Sequence, residues 1–384
     1  MSLYVDRWRP KTLDDLHYHE DLSKRIRTLR AKRRTSHPSP LQATTSGGQD
    51  FPHLLFYGPS GAGKKTRINC TLRELYGPGA DKLRIDQRIF KTPSNRKLDV
   101  NIVQSNYHIE LTPSDVGIWD RSVVQDILKE IAQTQQIDLN AKKRFKVVVI
   151  NEADGLSRDA QSALRRTMEK YSNNLRLILC ANSTSKIIGP IRSRCLLLRV
   201  GAPTEEQICS VLMHVAKKER LTIPTHVQVL LARLSGGNLR RALLSLEALV
   251  VQDHTFSKIK KDAAEPENID KTENLDVVPR PDWEKYCSKV SERILSEQTP
   301  DRLYEIRGML YELLVHCLPP GVVLSTVAKR LMDRVDEQLK PEIAKWAAFY
   351  DHRLKLGNKP IYHLEAFVAK IMYMQKGFLE GYMD

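Results

Sequence analysis

A glycine-rich segment near residue 60 has the composition of a phosphate-binding loop. Gly58-Pro59-Ser60-Gly61-Ala62-Gly63-Lys64 follows the apolar run His53–Tyr57 and precedes a stretch with helical periodicity. Glycines let the backbone pass close to phosphate oxygens, while loop N–H groups and the lysine ammonium neutralise their charge. The alternative is a chance match, against which the strand–loop–helix order argues. The residues predicted to bind a nucleotide here are Gly58, Pro59, Ser60, Gly61, Ala62, Gly63, Lys64, Lys65 and Thr66.

The two positions that should organise Mg²⁺ are both altered. A hydrolysing P-loop has Ser or Thr directly after its lysine, where the hydroxyl ligates Mg²⁺, but this chain has Lys65. Thr66 comes one residue later, a helical rotation of about 100°, and is expected to point elsewhere. The strand 147–150 leads into Asn-Glu-Ala-Asp where Asp-Glu-x-Asp is usual. Asn151 thus replaces a carboxylate, while Glu152, the expected base for the attacking water, is retained.

These two changes predict a pocket that binds ATP or ADP but hydrolyses ATP poorly. Lys65 places a fixed positive charge where Mg²⁺ would sit, so Mg²⁺ binding is expected to be weak. Two alternatives stay open: an active ATPase with substitute ligands, and a pocket that has lost nucleotide binding. The six cysteines form no CxxC pair, so no metal site is predicted from them.

The elements that position this loop follow from the hydrophobic pattern. Most of the apolar runs are continuous, as expected for strands buried on both faces of a parallel sheet. There are five of them, at 53–57, 107–111, 146–150, 176–181 and 195–200. Helical patterns separate these runs, which indicates an α/β fold with a five-stranded parallel sheet. From about Pro203 the β pattern ends and helical periodicity continues to the C-terminus.

Composition divides the chain into four parts. Residues 1–202 form the α/β P-loop domain, with a Ser/Thr/Pro/Gly-rich segment at 35–50 that predicts a flexible loop. Residues 203–252 are a small helical lid domain, and the polar stretch 253–280 is a linker. Residues 281–384 form an all-α domain. Its five predicted helices span 283–295, 302–317, 322–338, 342–356 and 361–379.

Bulk composition bears on partners and location. The chain has 61 Lys and Arg against 46 Asp and Glu, a net charge of +15. That balance favours polyanions such as nucleic acid, although solubility alone would also account for it. No apolar run reaches the roughly 20 residues that cross a bilayer. The N-terminus lacks a signal-peptide pattern, so an intracellular protein without membrane contact is expected.

Several motifs together resemble the small subunits of replication factor C, the eukaryotic loader of the sliding clamp. They are the N-terminal Val-Asp-Arg-Trp-Arg-Pro-Lys-Thr-Leu at 5–13, the P-loop, Asn-Glu-Ala-Asp at 151–154, Ile-Arg-Ser-Arg-Cys at 191–195 and Gly-Asn-Leu-Arg-Arg-Ala at 237–242. The match covers nearly the whole chain apart from its two polar segments. The resemblance implies an AAA+ fold with a C-terminal collar and a nuclear role in DNA replication and repair. It also implies a hetero-pentamer of loader subunits that acts on a PCNA-like sliding clamp and primer–template DNA.

The resemblance also implies roles for individual residues. Val5, Arg9 and His17 would surround the nucleotide base. Asn182 and Arg240 would be the two sensors of the bound nucleotide. Arg194 would project into a neighbouring subunit's ATP site as an arginine finger, which neutralises charge on the transferred phosphoryl group. The alternative for Arg194 is an ordinary surface arginine.

The segment 157–171 is an amphipathic helix with Ser157 as its expected N-cap. By resemblance its polar face tracks DNA phosphates, and Arg158, Arg165 and Arg166 are the candidate contacts. Pairing between subunits is an equal alternative for Arg165 and Arg166, and a solvated face is the alternative for all three. Ile118 and Trp119 lie in a region that by resemblance faces the clamp, although Trp119 also fits a local core.

Three functions are compatible with these features. The first is a regulatory clamp-loader subunit that binds nucleotide and donates Arg194 in trans. The second is a self-sufficient ATPase, against which Lys65 and Asn151 argue. The third is a DNA-binding scaffold that uses nucleotide only for folding. The large subunit that completes the assembly, in a replicative or a checkpoint loader, is not encoded in these motifs.

Overall fold

The computed structural model describes residues 2–31, 51–91, 97–133, 145–172, 174–252 and 278–381. The flexible loop predicted at 35–50 and most of the linker predicted at 253–280 lie outside these ranges. The chain divides into two units, Met1–Val278 and Pro279–Asp384. Among the helices described, none combines the length and the apolar character that a membrane crossing requires.

The first unit is built on one sheet, to which the described residues contribute seven strands. They are β1 His53–Tyr57, β2 Arg84–Lys91, β3 Lys97–Gln104, β4 His108–Leu111, β5 Lys146–Ile150, β6 Leu175–Ala181 and β7 Cys195–Arg199. Their order across the sheet is β2-β3-β4-β5-β6-β1-β7. From β4 to β7 all neighbours are parallel, which confirms the predicted five-stranded parallel sheet.

The strands β2 and β3 are absent from the sequence-based prediction. They pair antiparallel with each other, and β3 pairs antiparallel with β4, so they extend one edge of the sheet. One face of this hairpin packs on the core through Val100 and Ile102, whereas Ile85 and Ile89 of β2 are exposed. The sheet is therefore mixed, with a solvent-facing antiparallel margin.

Helices cover both faces of the parallel part. The described helices of the first unit are α1 Tyr4–Arg7, α2 Glu20–Ala31, α3 Lys64–Tyr76, α4 Asp120–Gln133, α5 Arg158–Lys170, α6 Gly189–Arg194, α7 Glu205–Lys218, α8 Thr225–Ser235 and α9 Leu239–Gln252. The α4 and α5 helices pack on one face, and α2 and α3 pack on the other. Each face thus has its own apolar core, because strands buried on both sides need two covering layers.

The lid helices α7, α8 and α9 form a third core of their own. Tyr4, Val5 and Trp8 from the N-terminal segment pack against it. The Thr204 side chain accepts from the N–H of Gln207 in a capping box that begins α7. The N-terminal segment and the helices α7 to α9, which are far apart in sequence, therefore share the lid core.

The second unit contains five described helices, close to those predicted. They are α10 Asp282–Ser296, α11 Pro300–Val315, α12 Pro320–Met332, α13 Lys340–Leu356 and α14 Pro360–Leu379. The predicted end of α12 at residue 338 is wrong, because the helix ends at Met332. Val335 and Leu339 continue a spacing of four from Leu331, yet they reach the core from the turn that follows the helix.

Candidate functional site

The phosphate-binding loop lies at the C-terminal end of β1, between β6 and β7, and leads into α3. The Lys64 side chain is buried against the loop. Its Nζ donates to the carbonyls of Gly58 and Pro59 at 2.7 and 2.9 Å and to Oδ1 of Asn182 at 2.8 Å. Burial lowers the pKa of Lys64. One ammonium therefore links the loop to the residue predicted to sense the nucleotide.

Two loop glycines have positive φ and no room for a side chain. At Gly61, φ is 75°, and a Cβ would lie 1.8 Å from Oδ1 of Asn238 in the lid. At Gly63, φ is 80°, and a Cβ would lie 2.2 Å from the hydroxyl of Tyr18. Only glycine meets both demands, since other residues rarely adopt this conformation. The lid and the residue 18 region thus lie directly on the phosphate loop.

Lys65 is directed toward an acidic residue in the neighbouring part of the sheet. Its Nζ lies 3.3 Å from Oε2 of Glu110, a carboxylate that is 5% exposed on β4. The other oxygen of Glu110 lies 3.7 Å from Nε2 of His108. Burial acts to raise the pKa of Glu110, but the hydrogen bond to His108 and the Lys65 charge outweigh it and the pKa is lowered. Glu110 therefore holds the Lys65 ammonium as a paired cation.

The two positions that usually organise Mg²⁺ carry altered donors. This ion prefers near-octahedral oxygen ligands that include one or two carboxylates. Asn151 and Glu152 both line the cavity, but the first is an amide, and Lys65 has an ammonium in place of the ligating hydroxyl. Glu152 has a φ of 51°, in the left-handed region. Backbone strain of this kind is concentrated at functional sites.

Most of the predicted nucleotide-binding residues converge on one cavity of about 670 Å³. Its lining includes Val5, Arg9, His17, Ser60, Gly61, Gly63, Lys64, Lys65, Thr66, Asn182 and Arg240. Gly58, Pro59 and Ala62 lie outside the lining, where their carbonyls accept from Lys64 and Tyr18. Thr66 lines the cavity, so its rotation away from the Lys65 direction does not take it out of the pocket.

On the lid side of this cavity only Arg240 was predicted from the sequence, whereas α7 and further residues of α9 also line it. Val211, His214, Val215 and Lys218 come from α7, and Leu239 and Leu243 come from α9. The His214 ring lies 4.4 Å from the His17 ring, and the Lys218 ammonium lies 5.1 Å from the Trp8 ring. The spacing of 211, 214, 215 and 218 was an available signal, because it describes one helical face.

Hydrogen bonds tie the N-terminal segment to the lid. The N–H of Tyr4 donates to Glu247 at 3.0 Å, and the indole N–H of Trp8 donates to Glu219 at 2.5 Å. Arg7 also pairs with Glu219, at 2.8 Å. The wall that carries Val5 is therefore positioned by the lid domain.

Arg194 lies at the end of α6, away from the cavity lining. Its Nη1 donates to the carbonyl of Pro190 at 2.9 Å, and its Nη2 lies 2.6 Å from Glu169 of α5. The side chain is 34% exposed. The guanidinium is thus both held and accessible to a second molecule.

The α5 helix has the amphipathic faces that the sequence predicts. Ser157 caps it by accepting from the N–H of Ala160 at 3.1 Å, and Arg158, Arg165 and Arg166 are exposed. Arg165 pairs with Glu169 at 3.3 Å, within its own helix. A second, open cleft is lined by Arg158 together with two basic residues that were not predicted, Lys186 and Arg192.

The segment predicted to face the clamp is the 3₁₀ turn Pro113–Trp119 before α4. It kinks at Gly117, whose φ is 63°. Ile118 lies in this turn, and Trp119 at its end is half-buried. Both interpretations of Trp119 therefore stay open, since the side chain is partly buried and partly accessible.

Three regions of the chain match known families. Residues 210–251 match the family described as RCF1/5-like, AAA+ ATPase lid domain, and residues 283–379 match Replication factor C subunit 3, C-terminal domain. Residues 39–204 match the family described as DNA polymerase III, delta subunit.

Relatives that match over nearly the whole chain are also replication factor C subunits. The chain is 54% identical over 379 residues to Replication factor C subunit 5 of Neurospora crassa, which covers 99% of each chain. It is 50% identical over 384 residues to Replication factor C subunit 3 of Homo sapiens, over 100% of this chain and 99% of the other. Replication factor C subunit 5 of Schizosaccharomyces pombe is 50% identical over 96% of each chain.

Proposed function

Because this chain belongs to the family of replication factor C subunits 3 and 5, and is an AAA+ clamp-loader subunit of DNA replication, we propose that it regulates the loader. In this proposal it binds ATP or ADP without hydrolysing ATP efficiently, and it donates Arg194 to a neighbouring subunit's ATP site. It acts within a hetero-pentamer that opens a PCNA-like sliding clamp and places it on primer–template DNA. The location is the nucleus, in replication and repair.

The observation that carries the proposal is the Lys65–Glu110 pair. Lys65 occupies the position of a Mg²⁺-ligating hydroxyl, and its ammonium is held 3.3 Å from a buried carboxylate. The ammonium stands where the ligating hydroxyl would be, and because Glu110 is already paired with it, neither group offers Mg²⁺ a free ligand. Asn151 adds no negative charge at the second position. Phosphoryl transfer depends on Mg²⁺ to neutralise charge on the phosphates. The pocket is therefore suited to holding nucleotide and poorly suited to cleaving it.

Retained binding is supported by the rest of the pocket. The phosphate side of the cavity is formed by the glycine loop, Lys64 and Asn182, and the last two are hydrogen-bonded to each other. Arg240 lines the cavity from the lid. The lid and the N-terminal segment close the other side of the cavity. Nucleotide in this pocket would therefore contact both parts of the first unit and stabilise their arrangement.

Arg194 supports the second half of the proposal. It is exposed, anchored at two nitrogens and remote from its own nucleotide cavity, which is the placement that a residue acting on a neighbouring subunit requires. Arg158 supports DNA contact, because Lys186 and Arg192 line the same cleft and leave it positively charged despite Asp154. Positive charge of this kind favours phosphates. Arg165 and Arg166 are further candidates for DNA, and Ile118 and Trp119 are candidates for the clamp.

The first prediction compares the loss of this chain's own phosphate-binding lysine with the loss of the arginine that it donates to a neighbour. Lys64→Ala should reduce the loader's ATPase only modestly, because this pocket contributes little chemistry. Arg194→Ala should reduce it by about 10³-fold at the neighbouring site, the scale of an arginine finger. Arg194→Lys should not restore the rate, since an ammonium lacks the planar two-pronged contact. The measurement is DNA- and clamp-stimulated ATP hydrolysis by reconstituted five-subunit complexes.

Arg199→Ala is a matched control for this experiment. Arg199 is an exposed arginine at the end of β7, close to Arg194 in sequence, and its loss should leave hydrolysis unchanged. If Lys64→Ala damages turnover more than Arg194→Ala does, this pocket is catalytic and the proposed function is wrong.

A further inference from the structure

Glu169, near the end of α5, holds two guanidinium groups through one carboxylate oxygen. Its Oε1 lies 2.6 Å from Nη2 of Arg194 and 3.3 Å from Nε of Arg165. The last turn of a helix favours cations, so an acidic residue there opposes the helix dipole. The hydrogen bond from Arg165 and the charge of Arg194 lower the pKa of Glu169. The two ion pairs, and not an interaction with the helix dipole, therefore favour an acidic residue at position 169.

The contacts of Arg194 fix the plane of its guanidinium. Nη2 is held by Glu169 of α5, while Nη1 donates to the carbonyl of Pro190 at 2.9 Å and to Oγ of Ser193 at 3.5 Å. The guanidinium is planar and rigid, so anchors at two different nitrogens define its orientation. Pro190 and Ser193 belong to the arginine's own helix. Glu169 is thus its anchor on a different element.

These contacts still leave Arg194 able to bind an anion. Within the described residues they use the N–H groups of Nη1 and one N–H of Nη2, so that Nε–H and the other N–H of Nη2 carry no contact. The carboxylate does not cancel the local charge, because Arg165 shares the same oxygen and the three groups together keep one net positive charge.

We propose that Glu169 is a positioning residue for trans catalysis: it orients the Arg194 guanidinium for the transferred phosphoryl group in the neighbouring subunit. This inference rests on the proposed function of Arg194. It assigns part of the positioning of Arg194 to a second element, the α5 helix. Without the carboxylate, α6 alone would hold the arginine, and its side chain would sample several rotamers. A catalytic group that is misplaced by about 1 Å loses as much as 10²-fold in rate.

The test uses the reconstituted five-subunit loader with clamp and primer–template DNA. Glu169→Gln should lower kcat for ATP hydrolysis roughly tenfold, and Glu169→Asp should recover part of that loss. KM for ATP should change little, because the residue orients a catalytic group and does not bind nucleotide. In the Arg194→Ala background, Glu169→Gln should have no further effect, since there is no guanidinium left to orient. Asp159→Asn, an exposed acid in the first turn of the same helix, is the matched control and should leave kcat unchanged.

The outcomes separate the inference from the proposed function. If Arg194→Ala does not reduce hydrolysis, the proposed function fails and this inference fails with it. If Arg194→Ala reduces hydrolysis but Glu169→Gln does not, only the positioning role is wrong. If Glu169→Gln costs as much in the Arg194→Ala background as alone, the residue acts through the stability of α5, and the inference is again overturned.

Discussion

At the scale of single residues, one lysine changes what the pocket can do with a nucleotide. A hydroxyl at position 65 would have brought Mg²⁺ to the phosphates. The ammonium of Lys65 instead brings its own charge, and the buried Glu110 keeps it in place. Unlike a metal ion, this covalently attached charge cannot leave with a departing nucleotide. Under the proposed function we therefore expect prolonged occupancy of the pocket.

The second prediction tests whether this charge replaces the metal. The purified chain should bind ADP with the same Kd, within about twofold, in Mg²⁺ and in EDTA. The triple variant Lys65→Thr, Asn151→Asp and Glu110→Gln restores the hydroxyl and the carboxylate and avoids an unpaired buried acid. It should bind at least about tenfold more tightly in Mg²⁺ than in EDTA, a gain of about 1.4 kcal/mol. Isothermal titration calorimetry under both conditions is the measurement, and a large loss of wild-type affinity in EDTA would contradict the idea.

The third prediction concerns Arg158 and its basic cleft. Arg158→Glu should weaken loader binding to primer–template DNA at all sequences, since a phosphate contact reads no base. It should also reduce the slope of log K against log salt by about 0.9, the effect of one lost phosphate contact. Fluorescence anisotropy across a salt series measures both quantities. The same reversal at Arg121, an exposed arginine of α4, is the control. Equal slopes for wild type and Arg158→Glu would assign Arg158 to a solvated face.

At the scale of elements, the central strand β1 connects the site to the stability of the sheet. His53 begins this strand, and its Nδ1 accepts the N–H of Leu177 in β6 at 3.0 Å. Burial, together with the charge of Arg176, lowers the pKa of His53 to about 4. Protonation would convert this acceptor into a donor that faces an N–H group. The neutral ring is therefore required for the β1–β6 pairing at this end.

The fourth prediction follows from that requirement. The pKa of His53 is about 4 in the folded chain and near 6.5 when unfolded, so the unfolded chain binds more protons between these values. Its stabilising contribution is complete above pH 6.5 and is lost as the pH falls to 4, a change of roughly 2–3 kcal/mol. Urea unfolding at several pH values should show a smaller acid loss for His53→Asn than for wild type. His352→Gln, at an exposed histidine, is the control, and parallel curves for His53→Asn and wild type would refute the assignment.

The strands also show how much of the sheet could be predicted from the hydrophobic pattern of the sequence. The parallel strands were predictable chiefly because burial on both faces makes β1, β5 and β6 nearly continuous apolar runs. The edge strand β7 keeps an apolar run although Leu197 is exposed. The pair β2–β3 was not predictable, because Ile85 and Ile89 are spaced by four and face solvent. The alternation at Leu98, Val100 and Ile102 was a usable signal for β3 alone.

The candidate site divides in a similar way between local and distant features. The phosphate loop was predictable from consecutive residues, since its chemistry is local. The spacing of His214 and Lys218 marks one face of α7, but which element this face packs against depends on the tertiary arrangement. Glu110 and Glu169 were missed for the same reason: each is a single acid whose partner is remote in sequence.

At the scale of the whole molecule, the apolar cores of the described residues divide into those of the first unit and that of the second. The second unit has its own apolar cluster from α10 to α14, and the first unit closes with Val278, which is buried in the lid core. By their family match, residues 283–379 are the part of the chain related to the replication factor C C-terminal domain. Each unit thus has apolar contacts of its own.

The fifth prediction is that removal of residues 282–384 leaves a folded first unit that no longer joins the loader. The apolar contacts of the first unit are internal, so thermal unfolding by circular dichroism should remain cooperative. Co-purification with the other subunits should be lost. A shorter chain that ends at residue 252 lacks Val278 and is the matched comparison, expected to unfold at lower temperature. Retention of the 282–384 deletion in the complex would show that the second unit is not the assembly domain.

The position of β1 in the sheet also determines when, during translation, this strand can pair with its neighbours. The strand emerges early from the ribosome, yet its partners come much later, with Leu55 aligned to Leu179 of β6 and Phe56 to Leu198 of β7. At about 5–20 residues per second, translation of the intervening chain takes on the order of ten seconds. During this interval β1 has neither of its parallel neighbours. The phosphate loop that follows β1 therefore lacks the two strands that flank it until residue 199 has left the exit tunnel.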